Sequence, residues 1–115
     1  MKDGKKEKIT IRDRNIYVIE LDPKVLTKKK FKSANPDFKE GMKCFYVGMT
    51  GLSPEERFEQ HKKGYKSNKY VKGFGIALRP RHYAYYNPMT YEEAKFMEVE
   101  KARRLRKRGY AVWQH

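Results

Sequence analysis

Arg57 and His61 stand four residues apart, and Glu98 falls within Ala94, Met97, Ala102 and Leu105, an apolar series at helical spacing. Arginine carries a planar, permanently charged fork suited to phosphate oxygens. Histidine accepts or relays a proton near neutral pH. An ionised carboxylate on an apolar stripe is costly unless it is paired or bound to a metal. Each residue also has a plainer reading. Glu98 at the edge of the stripe pairs with Lys101 or Arg103, Arg57 faces solvent, and His61 fills a helix–sheet junction. Tyr17 and Tyr46 centre two β-branched and aromatic runs, where a tyrosine is ordinarily a core residue with its polar tip at the rim. Gly48, directly after Tyr46-Val47, permits close backbone approach or a turn into Met49-Thr50-Gly51.

These residues need elements to hold them. Ile16 to Leu21 reads as a first strand closed by Asp22-Pro23, and Lys43 to Gly48 as a second, the two forming an antiparallel pair. Between them, residues at about 22–42 read as a long loop with a short helical turn near Pro23 to Leu26; loops of such length are often functional. Ser53-Pro54-Glu55-Glu56 is a capping box with proline at the first helical position, predicting a helix through Arg57, Phe58 and His61 to a stop near Gly64. Ser67 to Lys72 predicts a further short helix before Gly73. Ile76 to Tyr86 reads as a third strand, at an edge or bulged because Pro80 cannot donate to a ladder. Thr90-Tyr91-Glu92-Glu93 repeats the capping signal and opens the longest helix, Tyr91 to about Arg108, with Gly109 as its left-handed cap. Tyr110 to Trp113 is a short extended tail. The order β, β, α, small α, β, α predicts an α+β fold, a small central sheet with helices packed on it. Residues 1–8 read as a flexible basic lead-in and 9–115 as one domain.

Charge narrows the partners. The 115 residues hold 28 Lys plus Arg against 14 Asp plus Glu, a net charge of +14. The basic residues recur along the chain, at Lys28–Lys32, Lys62–Lys72, Arg79–Arg81 and Lys101–Arg108, which is a footprint for polyanions more than a basic tail. No apolar run is long enough to span a membrane, and no signal-type segment follows the basic start, so a cytoplasmic location is expected. Cys44 is the only cysteine, which excludes an internal disulfide and a cysteine-rich zinc site.

Taken in order, Ile16-Tyr17-Val18, Tyr46-Val47-Gly48, Arg57-x-x-x-His61 and Ala94-x-x-x-Glu98 resemble the GIY-YIG nuclease superfamily over about Ile16 to Val112. The ordering is the specific feature; each short motif alone is weak. The resemblance implies a three-stranded, mainly antiparallel sheet flanked by helices and a phosphodiester endonuclease using one divalent metal, Mg²⁺ or Mn²⁺. It implies that Tyr17 and Tyr46 are the paired tyrosines, one of them positioning or deprotonating the attacking water. Arg57 would hold the scissile phosphate, His61 relay a proton, and Glu98 be the single carboxylate on the metal. Departures from the pattern are Asn15 for the leading glycine, Met49 where some relatives have lysine, and Trp113-Gln114 where the family often carries an asparagine. The stretch between the two tyrosine motifs is also longer than the family's hairpin.

Lys62, Lys63, Lys66, Lys69 and Lys72, with Gly48, are the expected nucleic-acid contacts, lysines supplying salt-dependent grip on phosphates. Tyr65 and Tyr70 among them either stack on unpaired bases or belong to the core. DNA is the expected substrate ahead of RNA, with specificity from the loop, a homodimer or a partner protein. A binding module that kept the fold without turnover, or a small RNA-associated protein, are the competing expectations.

Overall fold

The computed structural model describes residues 10–115, so the expected lead-in at 1–8 lies outside the described residues. The fold is α+β. Strands β1 (Asn15–Leu21), β2 (Cys44–Thr50), β3 (Gly75–Leu78) and β4 (Ala111–Gln114) form one mixed sheet in the order β3-β1-β2-β4. Helices α1 (Lys29–Ser33), α2 (Pro54–Lys63), α3 (Lys69–Phe74) and α4 (Tyr91–Lys107) flank it. Among the described residues no helix is long and apolar enough to cross a membrane.

The central pair β1–β2 is antiparallel as expected, and its register sets the site: Tyr17 lies opposite Gly48 and Ile19 opposite Tyr46. Directly opposed residues point to the same face, so Tyr17, Gly48 and Tyr46 share one side of the sheet. Both strands are buried almost throughout, consistent with their unbroken apolar and aromatic runs.

The sheet has four strands where three were expected. The tail after α4 becomes β4, which pairs in parallel with β2 and sets Trp113 beside Tyr46 and Gln114 beside Val47. Gly109 makes this possible: at φ +98 it turns the chain out of α4 directly onto the sheet edge. The third strand is shorter than the expected Ile76 to Tyr86. It ends at Leu78, and Pro80–His82 and Ala84–Tyr86 are 3-10 turns. Proline lacks the ladder donor and its fixed φ starts a helical turn well; the expected edge position of this strand holds.

Both capping boxes form. Ser53 and Glu56 satisfy each other's backbone N–H at the start of α2, and Thr90 and Glu93 do so for α4. Gly64 ends α2 in the left-handed region. The short helix begins at Lys69 after the Asn68 cap, two residues later than expected, and runs on through Gly73 to Phe74.

The segment expected to be a long loop is folded. Asp22 caps a 3-10 turn at Pro23–Thr27 that buries Val25, as the predicted turn there required, and α1 follows. Phe31 of α1 is fully buried, edge-on to Tyr70 at 5.3 Å and stacked on Trp113 at 6.3 Å between ring centroids. Burying such a ring contributes about 1.5–3 kcal/mol. Buried Asn35 then pins the segment to β4, its Oδ1 accepting from Val112 N at 2.7 Å and Arg106 Nε at 3.1 Å. The insertion is therefore a docked part of the core rather than a flap.

Candidate active site

Tyr17 reaches from β1 across Gly48 to α2, where its Oη lies 2.8 Å from His61 Nε2. Both side chains are buried. The Tyr46 ring completes the group, 6.1 Å from Tyr17 and 5.5 Å from His61 between centroids. Gly48 explains the closeness. A Cβ there would stand 2.5 Å from Tyr17 Oη and 3.0 Å from Tyr46 Cε2, so only glycine lets the Tyr17 hydroxyl cross the neighbouring strand.

His61 is held in one tautomer. Its Nδ1 accepts from the backbone N–H of Asn68 at 3.2 Å, and burial, with the Arg57 and His115 charges, pushes its pKa down to about 4. At neutral pH the ring therefore carries its single proton on Nε2 and donates it to Tyr17 Oη. The Asn68 side chain in turn caps α3, its Oδ1 accepting from Tyr70 N and Val71 N, so one residue starts a helix and orients the histidine.

Burial pushes the Tyr17 phenol up to about 12, opposed by the nearby Arg57 guanidinium. Tyr46 is pushed up by burial and then by the charges of Tyr17 and Glu98. Arg57 is half-buried and partly committed: Nη1 donates to Gln60 Oε1 at 3.0 Å and to Tyr65 O at 3.2 Å, and Nη2 to Lys66 O at 2.7 Å. Three of a guanidinium's five N–H donors are thus engaged, and the guanidinium also hydrogen-bonds toward the Tyr17 phenol.

Glu98 is buried on α4 at 5% exposure, and its Oε2 has no hydrogen-bond partner. Burial raises its pKa to about 7, with the Gln114 amide opposing. Neither expected pairing forms. Lys101 is itself buried with its Nζ 5.9 Å from the Tyr86 ring centre, and Arg103 binds Glu100 through two bonds. The plainer reading of Glu98, an edge residue in an ion pair, is set aside by this geometry. A lone desolvated carboxylate oxygen near two phenols suits a hard cation, because magnesium commonly takes one or two protein carboxylates and keeps waters for the rest. Among the described residues no cluster of three or more His, Cys, Asp or Glu side chains is placed to hold a metal.

The five expected site residues therefore gather at one end of β1–β2. Gln114 at the end of β4 and His115 just beyond it join them, unforeseen because the tail was not expected to pair; Asn68 lay inside the expected Ser67 to Lys72 helix with no role assigned to it. Of the expected nucleic-acid contacts, Lys62, Lys63, Lys66, Lys69 and Lys72 are exposed, Lys62 also donating to Gly75 O at 2.9 Å, whereas Gly48 is buried. Tyr70 belongs to the core and Tyr65 is 55% exposed. No family model, curated protein or solved structure matches this chain.

Proposed function

We propose that this protein is a divalent-metal-dependent endonuclease of the GIY-YIG type that hydrolyses phosphodiester bonds in DNA. The observation that carries the reading is the unpartnered, buried Glu98 Oε2 beside the Tyr17–His61–Tyr46 group and Arg57. Glu98 would hold Mg²⁺ or Mn²⁺, which supplies Lewis-acid polarisation of the phosphate when bound. Tyr17 Oη orients the attacking water. The Nε2–H of His61 and the Arg57 charge stabilise negative charge on that oxygen, so His61 serves as a donor to Tyr17 rather than as the acceptor of its proton. The Arg57 donors not held by Gln60, Tyr65 and Lys66 meet the phosphate oxygens as charge builds on them. Net charge of +14 brings the polyanion to the surface.

The partial commitment of Arg57 to Gln60, Tyr65 and Lys66 favours a second reading, a binding module without turnover. Nicking of supercoiled plasmid with and without Mg²⁺ or Mn²⁺ separates the two. Metal-dependent nicking lost in Glu98→Ala, with DNA binding retained, is the expected result. Binding without cleavage of plasmid, branched DNA or RNA sinks the nuclease reading.

A further inference from the structure

The docked insertion and α3 enclose a cavity of about 500 Å³. Its lining is Lys28, Lys29 and Lys30 on the insertion side, and Lys69, Gly73 and Phe74 on the α3 side, with Tyr70 beneath them in the core. Four lysines face it, no carboxylate lines it, and none of the four pairs with an acidic side chain among the described residues. Concentrating four uncompensated cations costs electrostatic energy that an anionic ligand would relieve. Half-buried Phe74 adds an aromatic face, with Lys28 Nζ 5.9 Å from its ring centre.

We infer that this cleft binds a single strand of nucleic acid, its phosphates on the four lysines and an unpaired base against Phe74. Cationic grooves that combine backbone contact with an aromatic platform suit single strands, because only an unpaired base offers its face for stacking. A duplex buries those faces and presents phosphates on a convex cylinder that cannot enter a cavity of ligand size. The cleft adjoins the candidate active site through α3: Lys69 follows Asn68, whose backbone N–H holds His61. A strand held in the cleft would therefore lie on the helix whose capping residue contacts His61. The substrate class is then nucleic acid with a single-stranded stretch beside the bond to be cut. The inference rests on the nucleic-acid part of the proposed function and not on turnover.

The test is metal-free fluorescence anisotropy with oligothymidylate and oligouridylate of about a dozen nucleotides, within the site sizes typical of such grooves, and a blunt duplex of the same length. Lys28→Ala/Lys29→Ala/Lys30→Ala removes exposed side chains only, and its melting temperature serves as the fold control. The variant should bind single strands at least about tenfold more weakly, with a log–log salt slope shallower by about two, as three lost phosphate contacts require. Phe74→Leu should weaken the same binding by about fivefold or more with the slope unchanged, since a stacking contact releases no counterion. Duplex affinity should change far less in both. The preferred oligomer tells DNA from RNA. Unaltered single-strand binding in the triple variant, an equal loss for duplex, or competition by polyglutamate as potent as by the oligomer would each overturn the assignment. Cleavage plays no part in the readout, so a protein that fails the nicking assay can still pass this one.

Discussion

At Gly48 the two tyrosine motifs become one site, because the hydroxyl of Tyr17 occupies the space where a Cβ would stand. Gly48→Ala should displace Tyr17 Oη from His61 and lower nicking at least about a hundredfold, the scale expected for an ångström of misplacement. Nicking within threefold or so of wild type, in a variant of unchanged circular dichroism, would show that the Tyr17–His61 contact is dispensable. Glu98 makes a second prediction through pH. Its folded pKa of about 7 lies above the ordinary 4.5, so the folded chain keeps a proton there that the unfolded chain loses first. Stability from this group is therefore full below about 4.5 and is lost as pH rises through about 7. His61 and His82, both held near 4 by burial, act the other way: their contribution is present above 6.5 and is lost as pH falls toward 4. Against that rising background, Glu98→Gln should shift the melting-temperature difference between pH 8 and pH 5 in favour of pH 8 relative to wild type, values chosen to bracket the Glu98 transition. Millimolar Mg²⁺ should raise the melting temperature of wild type at the higher pH and leave the variant unmoved.

Among the elements, the insertion between β1 and β2 behaves as core. Phe31, fully buried against Tyr70 and Trp113, ties α1, α3 and β4 together. Phe31→Ala should cost about 3–5 kcal/mol in urea denaturation, the range for deleting a buried ring. Because α3 carries Asn68 and hence the His61 orientation, its activity should fall more than its residual folded fraction accounts for. A loss below about 1 kcal/mol would mean the segment is only loosely docked. The element boundaries were legible where local caps set them, in the side chains of Ser53 and Thr90 and the left-handed backbone of Gly64 and Gly109. They were misread where pairing decided them: Pro80 turned a strand into 3-10 turns, and the tail after Gly109 found a free edge on β2.

For the molecule as a whole, the +14 charge makes a statement about salt. Duplex DNA binding should weaken on the order of a thousandfold between about 50 and 200 mM salt if six or so phosphates are neutralised. A change below about tenfold would mean that most of the lysines face solvent without touching the backbone. The distribution of those cations also matters. Lys62 serves Gly75 O and Lys63 lies near Glu59, while Lys28, Lys29, Lys30 and Lys69 converge on one cleft. A count of charges gives the strength of the field, and only the fold says where it is focused.

The amino-acid sequence by itself offered Tyr17, Tyr46, Arg57, His61 and Glu98 as candidates through their order along the chain, and it determined the α+β class, the central strand pair, both capped helices and the net positive charge. Those features follow from local periodicity, caps and residue type, which act over a few residues. Tertiary structure decided the rest: that Glu98 Oε2 has no partner, that Asn68 sets the His61 tautomer, that β4 brings Gln114 to Glu98, and that a lysine run meets α3 across a cleft. These depend on contacts between segments dozens of residues apart, where burial and strand pairing choose among partners that local sequence leaves equivalent.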